Sequence, residues 1–246
     1  MIYITGDIHR NFDRIEDFCR EHNTTTDDIL IILGDAGINY YCDSRDRMLK
    51  DRLIKNLPIT LFCIHGNHEE RPQFAGNYKL STFAGGIVYK EDDVPNLMFA
   101  IDAQVYKLNN QNCLVIGGAY SVDKEYRLEH GLRWFASEQP SLDTKANVIG
   151  AASTVEYKYG KLDCVLSHTC PAKYIPTEMF LGGIDQSTVD RSTEDFLDDL
   201  ESRVKYDRWF CGHWHTDKTV NKIRFLFTDI IEFPGGFCAD DTNTSH

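Results

Sequence analysis

The sequence has no apolar segment long enough to span a bilayer, which takes roughly 20 residues, although 42% of its 246 residues are hydrophobic. No basic residue precedes Asp7, so we predict that the N-terminal segment is a first strand rather than a signal peptide. There is no Cys-x-x-Cys pair, which argues against a zinc ribbon or a thioredoxin-like site. Because no segment is apolar over a sufficient length, we expect no membrane association.

Positive charge is also scarce, because 26 Lys and Arg residues against 38 Asp and Glu give a net charge of -12. Nonspecific binding of nucleic acid or of a membrane surface needs a basic field, so we expect neither. Several of the eight cysteines lie in apolar runs, where reduced cysteine acts as a small hydrophobic residue. This favours the reducing cytoplasm. These cysteines are Cys63, Cys113, Cys164 and Cys211.

The chain has no internal repeat, low-complexity tract or linker, and its length suits one hydrophobic core. We predict a single domain over residues 1–246, with residues 240–246 as a frayed tail. The first part alternates strand and helix patterns, such as a strand at 29–33 and a helix at 46–56. From Gly85 onward, short apolar segments separated by turn residues predict antiparallel strands. The pattern alone predicts an α/β fold with a mixed sheet.

Local patterns near the C-terminus give further expectations. Ser192 followed by Asp195 predicts a capping box at the start of a helix, and residues 224–227 and 230–233 predict a closing hairpin. The acidic residues of that helix are expected to face solvent. They are Glu194, Asp195, Asp198 and Asp199.

Polar motifs recur where the predicted strands end. Asp35 follows the apolar residues 29–33 and Asn67 follows residues 61–64, positions where open α/β sheets place ligand sites. Two pairs with i, i+2 spacing would point both side chains to one side of an extended strand. Such clustered carboxylates, imidazoles and an amide suit a pair of divalent cations. The motifs are Asp7-Ile8-His9, Gly34-Asp35, Gly66-Asn67-His68-Glu69, the single His168 and Gly212-His213-Trp214-His215.

Each residue also has an ordinary structural explanation when taken alone. An aspartate such as Asp35 often forms a turn or caps a helix, and a single histidine such as His168 is more often structural. The ordered set of motifs, however, resembles the calcineurin-like metallophosphoesterase family from Asp7 to His215. The resemblance implies an α/β/β/α sandwich of two mixed β-sheets flanked by helices. It also implies hydrolysis of phosphoesters with two metal ions, which clamp the attacking and leaving oxygens.

The resemblance implies a role for each matching position. His68 would protonate, or donate a hydrogen bond to, the leaving oxygen. The ligand set lacks thiolate and accepts manganese, iron, zinc, cobalt or nickel; we expect manganese or iron rather than magnesium, because imidazole is a poor magnesium ligand. The implied ligands are Asp7, His9 and His215 for the first metal, Asn67, His168 and His213 for the second, and Asp35 as the bridge.

The sequence departs from the protein Ser/Thr phosphatase branch of this family. Arg10 follows Asp-x-His where that branch typically has glycine, and Ile38 and Asn39 replace the second aspartate and the arginine of its Gly-Asp-x-x-Asp-Arg-Gly motif. His68 therefore needs another orienting partner or works without one. The Gly-His-x-His ending is similar to phosphodiesterase-like and nuclease-like branches, whereas Gly-Asn-His-Glu is similar to protein phosphatases.

Arginines elsewhere are candidates for binding substrate, because a guanidinium pairs bidentately with phosphate oxygens; the alternative for each is an exposed side chain with a solvated head. The stretch 171–191 is long for a connection and is a candidate wall or lid of the pocket. The arginines are Arg10, Arg71, Arg127 and Arg133.

The sequence thus predicts a two-metal phosphoesterase with a phosphorylated substrate, most simply a phosphomonoester such as a phosphoprotein or a small phosphorylated metabolite. A phosphodiesterase acting on cyclic nucleotides or other diesters is the alternative within the enzyme class. A nuclease is disfavoured by the acidic charge. A non-catalytic protein-binding scaffold is disfavoured because every matched metal position holds a residue that can bind metal.

Overall fold

The computed structural model describes residues 1–180 and 188–234. The predicted frayed tail at 240–246 and part of the predicted lid at 171–191 lie outside these residues. The described part contains thirteen strands and five α-helices. The helices are α1 (Asp13–His22), α2 (Ser44–Asn56), α3 (Lys124–Glu129), α4 (Leu142–Tyr159) and α5 (Ser192–Arg203). The strands are β1 (Ile2–Thr5), β2 (Ile29–Ile32), β3 (Thr60–Cys63), β4 (Lys79–Phe83), β5 (Gly86–Lys90), β6 (Leu97–Ala100), β7 (Val105–Leu108), β8 (Gln111–Ile116), β9 (Leu162–Ser167), β10 (Tyr206–Cys211), β11 (Lys218–Val220), β12 (Ile223–Phe225) and β13 (Ile231–Glu232).

The strands form two mixed sheets. The first has seven strands in the order β13-β1-β2-β3-β6-β5-β4, of which β1, β2, β3 and β6 run parallel. The second has six strands in the order β11-β12-β10-β9-β8-β7, with β12, β10, β9 and β8 parallel. Antiparallel strands extend both sheets at their edges, including the β7–β8 hairpin that the sequence predicts.

Alternation along the central strands sorts their side chains into separate cores. In β2, Ile31 packs into the space between the sheets, whereas Leu30 and Ile32 face α1 and α2. In β8, Val115 faces the inter-sheet core and Leu114 faces α4 and α5. A strand that is buried on both faces needs apolar side chains on both faces. The predicted α/β/β/α sandwich of two mixed sheets is confirmed.

The predicted closing hairpin is wrong. The strand β12 belongs to the second sheet, where it pairs with β10 and β11. The next strand, β13, pairs antiparallel with β1 of the first sheet. The chain thus crosses from one sheet to the other after Leu226, whose amide donates to Cys211 O at 2.9 Å. Two short apolar runs close in sequence predicted local pairing, but the two strands pair in different sheets.

Two expectations for α5 also fail. Ser192 is the first residue of the helix, and Asp190 Oδ1 accepts from its amide at 2.9 Å, so Asp190 rather than Ser192 provides the acceptor at this end. Glu194 is buried, and its Oε1 accepts a hydrogen bond from Thr169 Oγ1 at 2.9 Å. It therefore does not belong to a solvated face. A buried carboxyl is tolerated here because it has a hydrogen-bond partner.

The inter-sheet core generates a stability prediction. Phe62 is fully buried there, with its ring centroid 5.0 Å from that of Tyr106. We expect Phe62→Ala to lower the free energy of unfolding by about 3–5 kcal/mol, because it leaves a cavity between two sheets that cannot collapse freely. Phe74→Ala is the control, since Phe74 is 66% exposed and should change stability by less than about 0.5 kcal/mol. Urea denaturation measures both, and equal effects would contradict this assignment of the core.

Candidate functional site

The sequence-predicted metal ligands all follow the carboxyl ends of parallel strands. Loops from the two sheets meet there, since the amide of His213 donates to Asp7 Oδ1 at 2.8 Å and His168 Nδ1 lies 2.7 Å from Leu33 O. The site therefore straddles the carboxyl edge of both sheets, as expected for an α/β fold. Asp7 and His9 follow β1, Asp35 follows β2, Asn67 follows β3, His168 follows β9, and His213 and His215 follow β10.

The i, i+2 argument from strand geometry is wrong, although the structure does bring these side chains together. The strands β1 and β10 end before the motifs, at Thr5 and Cys211. His9, His213 and His215 have left-handed backbones, with φ of 47°, 66° and 48°. The side chains converge because tight turns redirect them, and not because an extended strand places them on one face.

One group consists of Asp7, His9 and His215, whose donor atoms lie within 4.8 Å of one another. Asp7 Oδ2 lies 3.2 Å from His215 Nε2 and 3.6 Å from His9 Nε2. The two histidine Nε2 atoms are 2.9 Å apart. Asp7 Oδ2 is buried and has no hydrogen-bond partner among the described residues. A buried carboxylate oxygen beside two imidazole nitrogens is a suitable cradle for a cation.

The second group contains Asp7, Asp35 and His168, all buried, and Asn67 extends it. Because Leu33 O can only accept, His168 Nδ1 carries the proton of the neutral ring and Nε2 keeps a lone pair. Nε2 lies 2.8 Å from Asn67 Oδ1 and 3.7 Å from Asp35 Oδ2. His168 Nε2, Asn67 Oδ1 and Asp35 Oδ2 therefore each offer a lone pair. Three converging lone pairs suit a divalent cation better than a direct hydrogen bond between His168 Nε2 and Asn67 Oδ1.

His213 belongs to neither of these groups, although its ring centroid lies 5.0 Å from that of His168. Burial lowers the pKa of His213 well below its ordinary value, so the ring is neutral and can offer a lone pair. Burial would raise the pKa of Asp7, but the nearby imidazoles of His215, His168 and His9 lower it overall. The nearby carboxylate of Asp7 in turn raises the pKa of His215.

Two glycines make room for the carboxylates. A Cβ at Gly66 would overlap Asp35 Oδ1, and a Cβ at Gly212 would overlap Asp7 Oδ1. Neither glycine has a positive φ, so close approach and not backbone freedom explains them. Asp35 is fixed further by the amide of His68, which donates to its Oδ1 at 2.8 Å.

Glu69 contributes to the site, although sequence reasoning gave it no role. It is fully buried, and its carboxyl accepts from the amides of Gly37 at 3.0 Å and Gly66 at 3.3 Å. Burial raises its pKa to about 8. Glu69 thus joins the loop after β2 to the loop after β3. The sequence signal for a role of Glu69 is its place at the end of the Gly-Asn-His-Glu motif, because a charged residue within a metal-binding motif needs a structural explanation.

The loops after β9 and β10 are joined by a second buried network. Trp214 Nε1 donates to Thr169 Oγ1 at 3.1 Å, and Thr169 Oγ1 donates to Glu194. The Trp214 ring also stacks on that of Phe180, with centroids 6.0 Å apart. Helix α5 is thereby fastened to the turn that carries His213 and His215.

His68 lies beside the first group, with its ring centroid 5.6 Å from that of His9. Burial lowers the pKa of His68, and the charges of Asp35, Arg127 and Asp123 also act on it. Arg127 is thus among the residues whose charge acts on His68. Its own Nε donates to Asp123 Oδ2 at 2.7 Å.

The other three arginine candidates, like Arg127, have protein partners. Arg10 Nη1 donates to Gly37 O at 2.6 Å and to Asp46 Oδ1 at 2.5 Å. Arg71 Nη1 donates to Asp102 Oδ2 and Nε to Ser137 O. Arg133 Nη2 donates to Tyr41 O at 2.8 Å. Their binding of substrate stays a prediction.

The model of the calcineurin-like phosphoesterase family matches residues 1–217. The chain belongs to this family. One solved structure aligns with 92% of this chain and 88% of its own length, at 10% identity and a TM-score of 0.46. A phosphopantetheinyl hydrolase from Mycobacterium tuberculosis aligns with 92% of this chain and 87% of its own, at 13% identity and a TM-score of 0.37. Comparison with curated proteins gives no match.

Membership of this family supports metal-dependent phosphoester hydrolysis. The donor set described above fits divalent cations, since it combines buried carboxylates, imidazoles with free lone pairs and an amide oxygen. Within residues 1–180 and 188–234, no helix has the length and apolar character needed to cross a membrane.

The packing of Gly66 against Asp35 predicts a sensitive position. We expect Gly66→Ala to displace the Asp35 carboxylate and to reduce both metal content and turnover, because the new methyl group would occupy the place of Oδ1. Elemental analysis and a phosphatase assay measure these quantities. Gly150→Ala is the control, since a Cβ there meets nothing within 4 Å. Full metal content and turnover in Gly66→Ala would show that the close approach has no functional consequence.

Proposed function

We propose that this protein is a two-metal phosphomonoesterase acting on a phosphoprotein or a small phosphorylated metabolite. The observation that carries the proposal is the convergence of ligand atoms around Asp7 and Asp35 at the carboxyl edge of both sheets. The proposed ligands are the seven predicted residues: Asp7, His9, Asp35, Asn67, His168, His213 and His215. Manganese or iron is the proposed metal, because the set is rich in imidazole and lacks thiolate.

Bound metals would supply Lewis acidity and a nucleophile at neutral pH. The chain's own groups hold and orient the reactants. His9 and His215 are the more exposed members of the first group and border the open side of the site. Asp35 lies in the buried floor, where His68 N fixes its Oδ1. In this proposal an N–H of the His68 ring gives its proton to the leaving oxygen.

In this proposal a monoester is favoured over a diester by the charge of Arg127, which acts on His68. A phosphomonoester has a dianionic terminal group, whereas a diester carries a single charge. The charge of Arg127 acts on His68, and its guanidinium donates to Asp123 Oδ2 and to Tyr40 Oη, the latter at 3.3 Å. A guanidinium pairs with two phosphate oxygens at once, which suits the dianion. We therefore propose Arg127 as the main phosphate-binding side chain.

A phosphodiesterase is the second candidate function. The observation that favours it is the Trp214 ring, which is only partly buried, contacts His213 and stacks on Phe180. An aromatic ring beside the proposed metal ligand His213 suits a nucleobase, because stacking on an aromatic ring stabilises any base. A cyclic nucleotide would present such a base.

Compartment is a further proposal. The buried cysteines of the central strands, such as Cys113 and Cys164, are free thiols on neighbouring strands. Free thiols at adjacent strand positions suit a reducing compartment, and we propose the cytoplasm.

Hydrolysis of p-nitrophenyl phosphate and of bis-p-nitrophenyl phosphate, with added manganese, separates the two candidate functions. We expect the monoester to have the higher kcat/KM, because its second negative charge interacts with Arg127. Arg127→Ala should reduce that preference by raising KM for the monoester more than for the diester. Arg203→Ala, on the exposed part of α5, serves as the control. A higher kcat/KM for the diester would favour the phosphodiesterase instead.

Substitutions of Asp35 and of His68 should impair the enzyme in different ways. Asp35→Asn replaces a bridging anion with a neutral amide, so we expect less bound metal and less turnover. His68→Ala removes no proposed ligand, so metal content should stay unchanged while turnover falls by about 10²–10⁴-fold. The loss should be smaller for p-nitrophenyl phosphate than for an alkyl phosphate, because nitrophenolate needs little protonation.

Elemental analysis of protein purified without chelator, combined with kinetics on both phosphates, measures these effects. Loss of metal in His68→Ala, or an equal loss of turnover for good and poor leaving groups, would rule out His68 as the acid.

A further inference from the structure

The loop after β8 packs on the loop after β3 and brings Ser121 to Asn67. Gly118 N donates to His65 O at 2.8 Å, which joins the two loops two residues before Asn67. Ser121 and Asn67 are each 2% exposed, and Asn67 Nδ2 donates to Ser121 Oγ at 2.9 Å. The nitrogen of the Asn67 amide therefore faces Ser121, and its oxygen faces His168.

Two lone pairs face each other at the His168 end of this amide. His168 Nδ1 carries the proton of the neutral ring, so the lone pair of Nε2 points toward Asn67 Oδ1, 2.8 Å away. Rotation of the amide by half a turn would bring Nδ2 to this place, where it would donate a hydrogen bond to Nε2. That bond would occupy the lone pair of His168 and turn the Asn67 oxygen away, so it would disable two proposed metal ligands.

The hydroxyl of Ser121 decides between these two orientations. A hydroxyl can donate or accept, so Ser121 selects one orientation when its own proton is engaged elsewhere. Burial raises the pKa of Glu138, and hydrogen bonds from the hydroxyl and the amide of Ser121 to the Glu138 carboxyl oppose that rise. With its proton directed to Glu138, Ser121 Oγ is left as an acceptor, which suits Asn67 Nδ2 and not Oδ1.

We propose that Ser121 is a positioning residue that holds the Asn67 amide in the orientation in which its oxygen can bind the second metal. This inference rests on the proposed function. Ser121 acts through Asn67, and groups that orient a metal ligand typically contribute about 10–100-fold to metal affinity. Loss of the Ser121 hydroxyl should therefore weaken the second metal site. The first site, formed by Asp7, His9 and His215, should keep its affinity.

Manganese titration of the full-length protein, first freed of metal with a chelator, tests this inference without a substrate. Isothermal titration calorimetry gives the number of sites and the affinity of each. We expect two sites in the wild type. In Ser121→Ala the first site should be unchanged, and the second should bind manganese at least about tenfold more weakly. Wild-type affinity at both sites in Ser121→Ala would overturn the inference and leave the proposed function standing.

Asn67→Asp separates an effect on amide orientation from a general structural effect. A carboxylate presents an oxygen toward His168 in either orientation, so Ser121 has no orientation to select. In the Asn67→Asp background, Ser121→Ala should therefore change the affinity of the second site by less than about twofold. A structural effect of Ser121 would weaken the second site equally in both backgrounds, and that result would also overturn the inference.

Thr193→Val is the matched control. Thr193 is buried like Ser121, and its Oγ1 hydrogen-bonds a side-chain amide, donating to Gln139 Oε1 at 2.7 Å. This variant loses a comparable hydrogen bond that involves no proposed ligand, so both manganese affinities should equal those of the wild type. Equal losses in Thr193→Val and Ser121→Ala would contradict the inference. If the wild type binds no manganese and hydrolyses neither p-nitrophenyl phosphate nor its diester, the proposed function fails and the inference fails with it.

Discussion

The structure depends on keeping two carboxylates, Asp7 and Asp35, buried near each other. Both are almost fully buried, and both have an oxygen within 4.8 Å of a ring nitrogen of His168. Like charges repel strongly away from water, so the surroundings must supply positive charge or donors. The amides of His213 and His68 each donate to one of these carboxylates. The remaining oxygens face imidazoles, and this leaves a site that cations complete.

The turns that carry these carboxylates and imidazoles are strained. Asp35 and His9 have φ of 49° and 47°, a region that residues other than glycine rarely adopt. Such residues cost on the order of 1–3 kcal/mol each and persist only when the surroundings fix them. Here the amides of Ile8 and His9 both donate to Asp35 O, at 3.1 and 2.7 Å. These hydrogen bonds connect the turn after β1 to the turn after β2. Glu69 also connects the turn after β2 to the loop after β3.

The sequence predicted those features that short-range patterns encode. The apolar run at 29–33 predicted a strand, and alternation within it now separates Ile31 from Leu30 and Ile32. The resemblance to the family predicted that Asp7, His9, Asp35, His168 and His215 would lie together, and their ligand atoms do so in two overlapping groups. Contacts between distant segments could not be read in this way. The crossing from β12 to β13 and the burial of Glu194 against Thr169 depend on pairings that no local pattern specifies.

The crossing between the sheets also affects how the chain matures. Residues near the start meet residues near the end: Thr5 Oγ1 donates to Asp229 O at 2.8 Å, and Asp7 accepts from His213. During synthesis, β1 therefore cannot pair with its edge strand β13 until most of the chain has emerged from the ribosome. Contacts this distant in sequence slow folding. The nascent chain consequently carries an incomplete set of metal ligands, and it acquires the complete set only when the last turn docks onto the first.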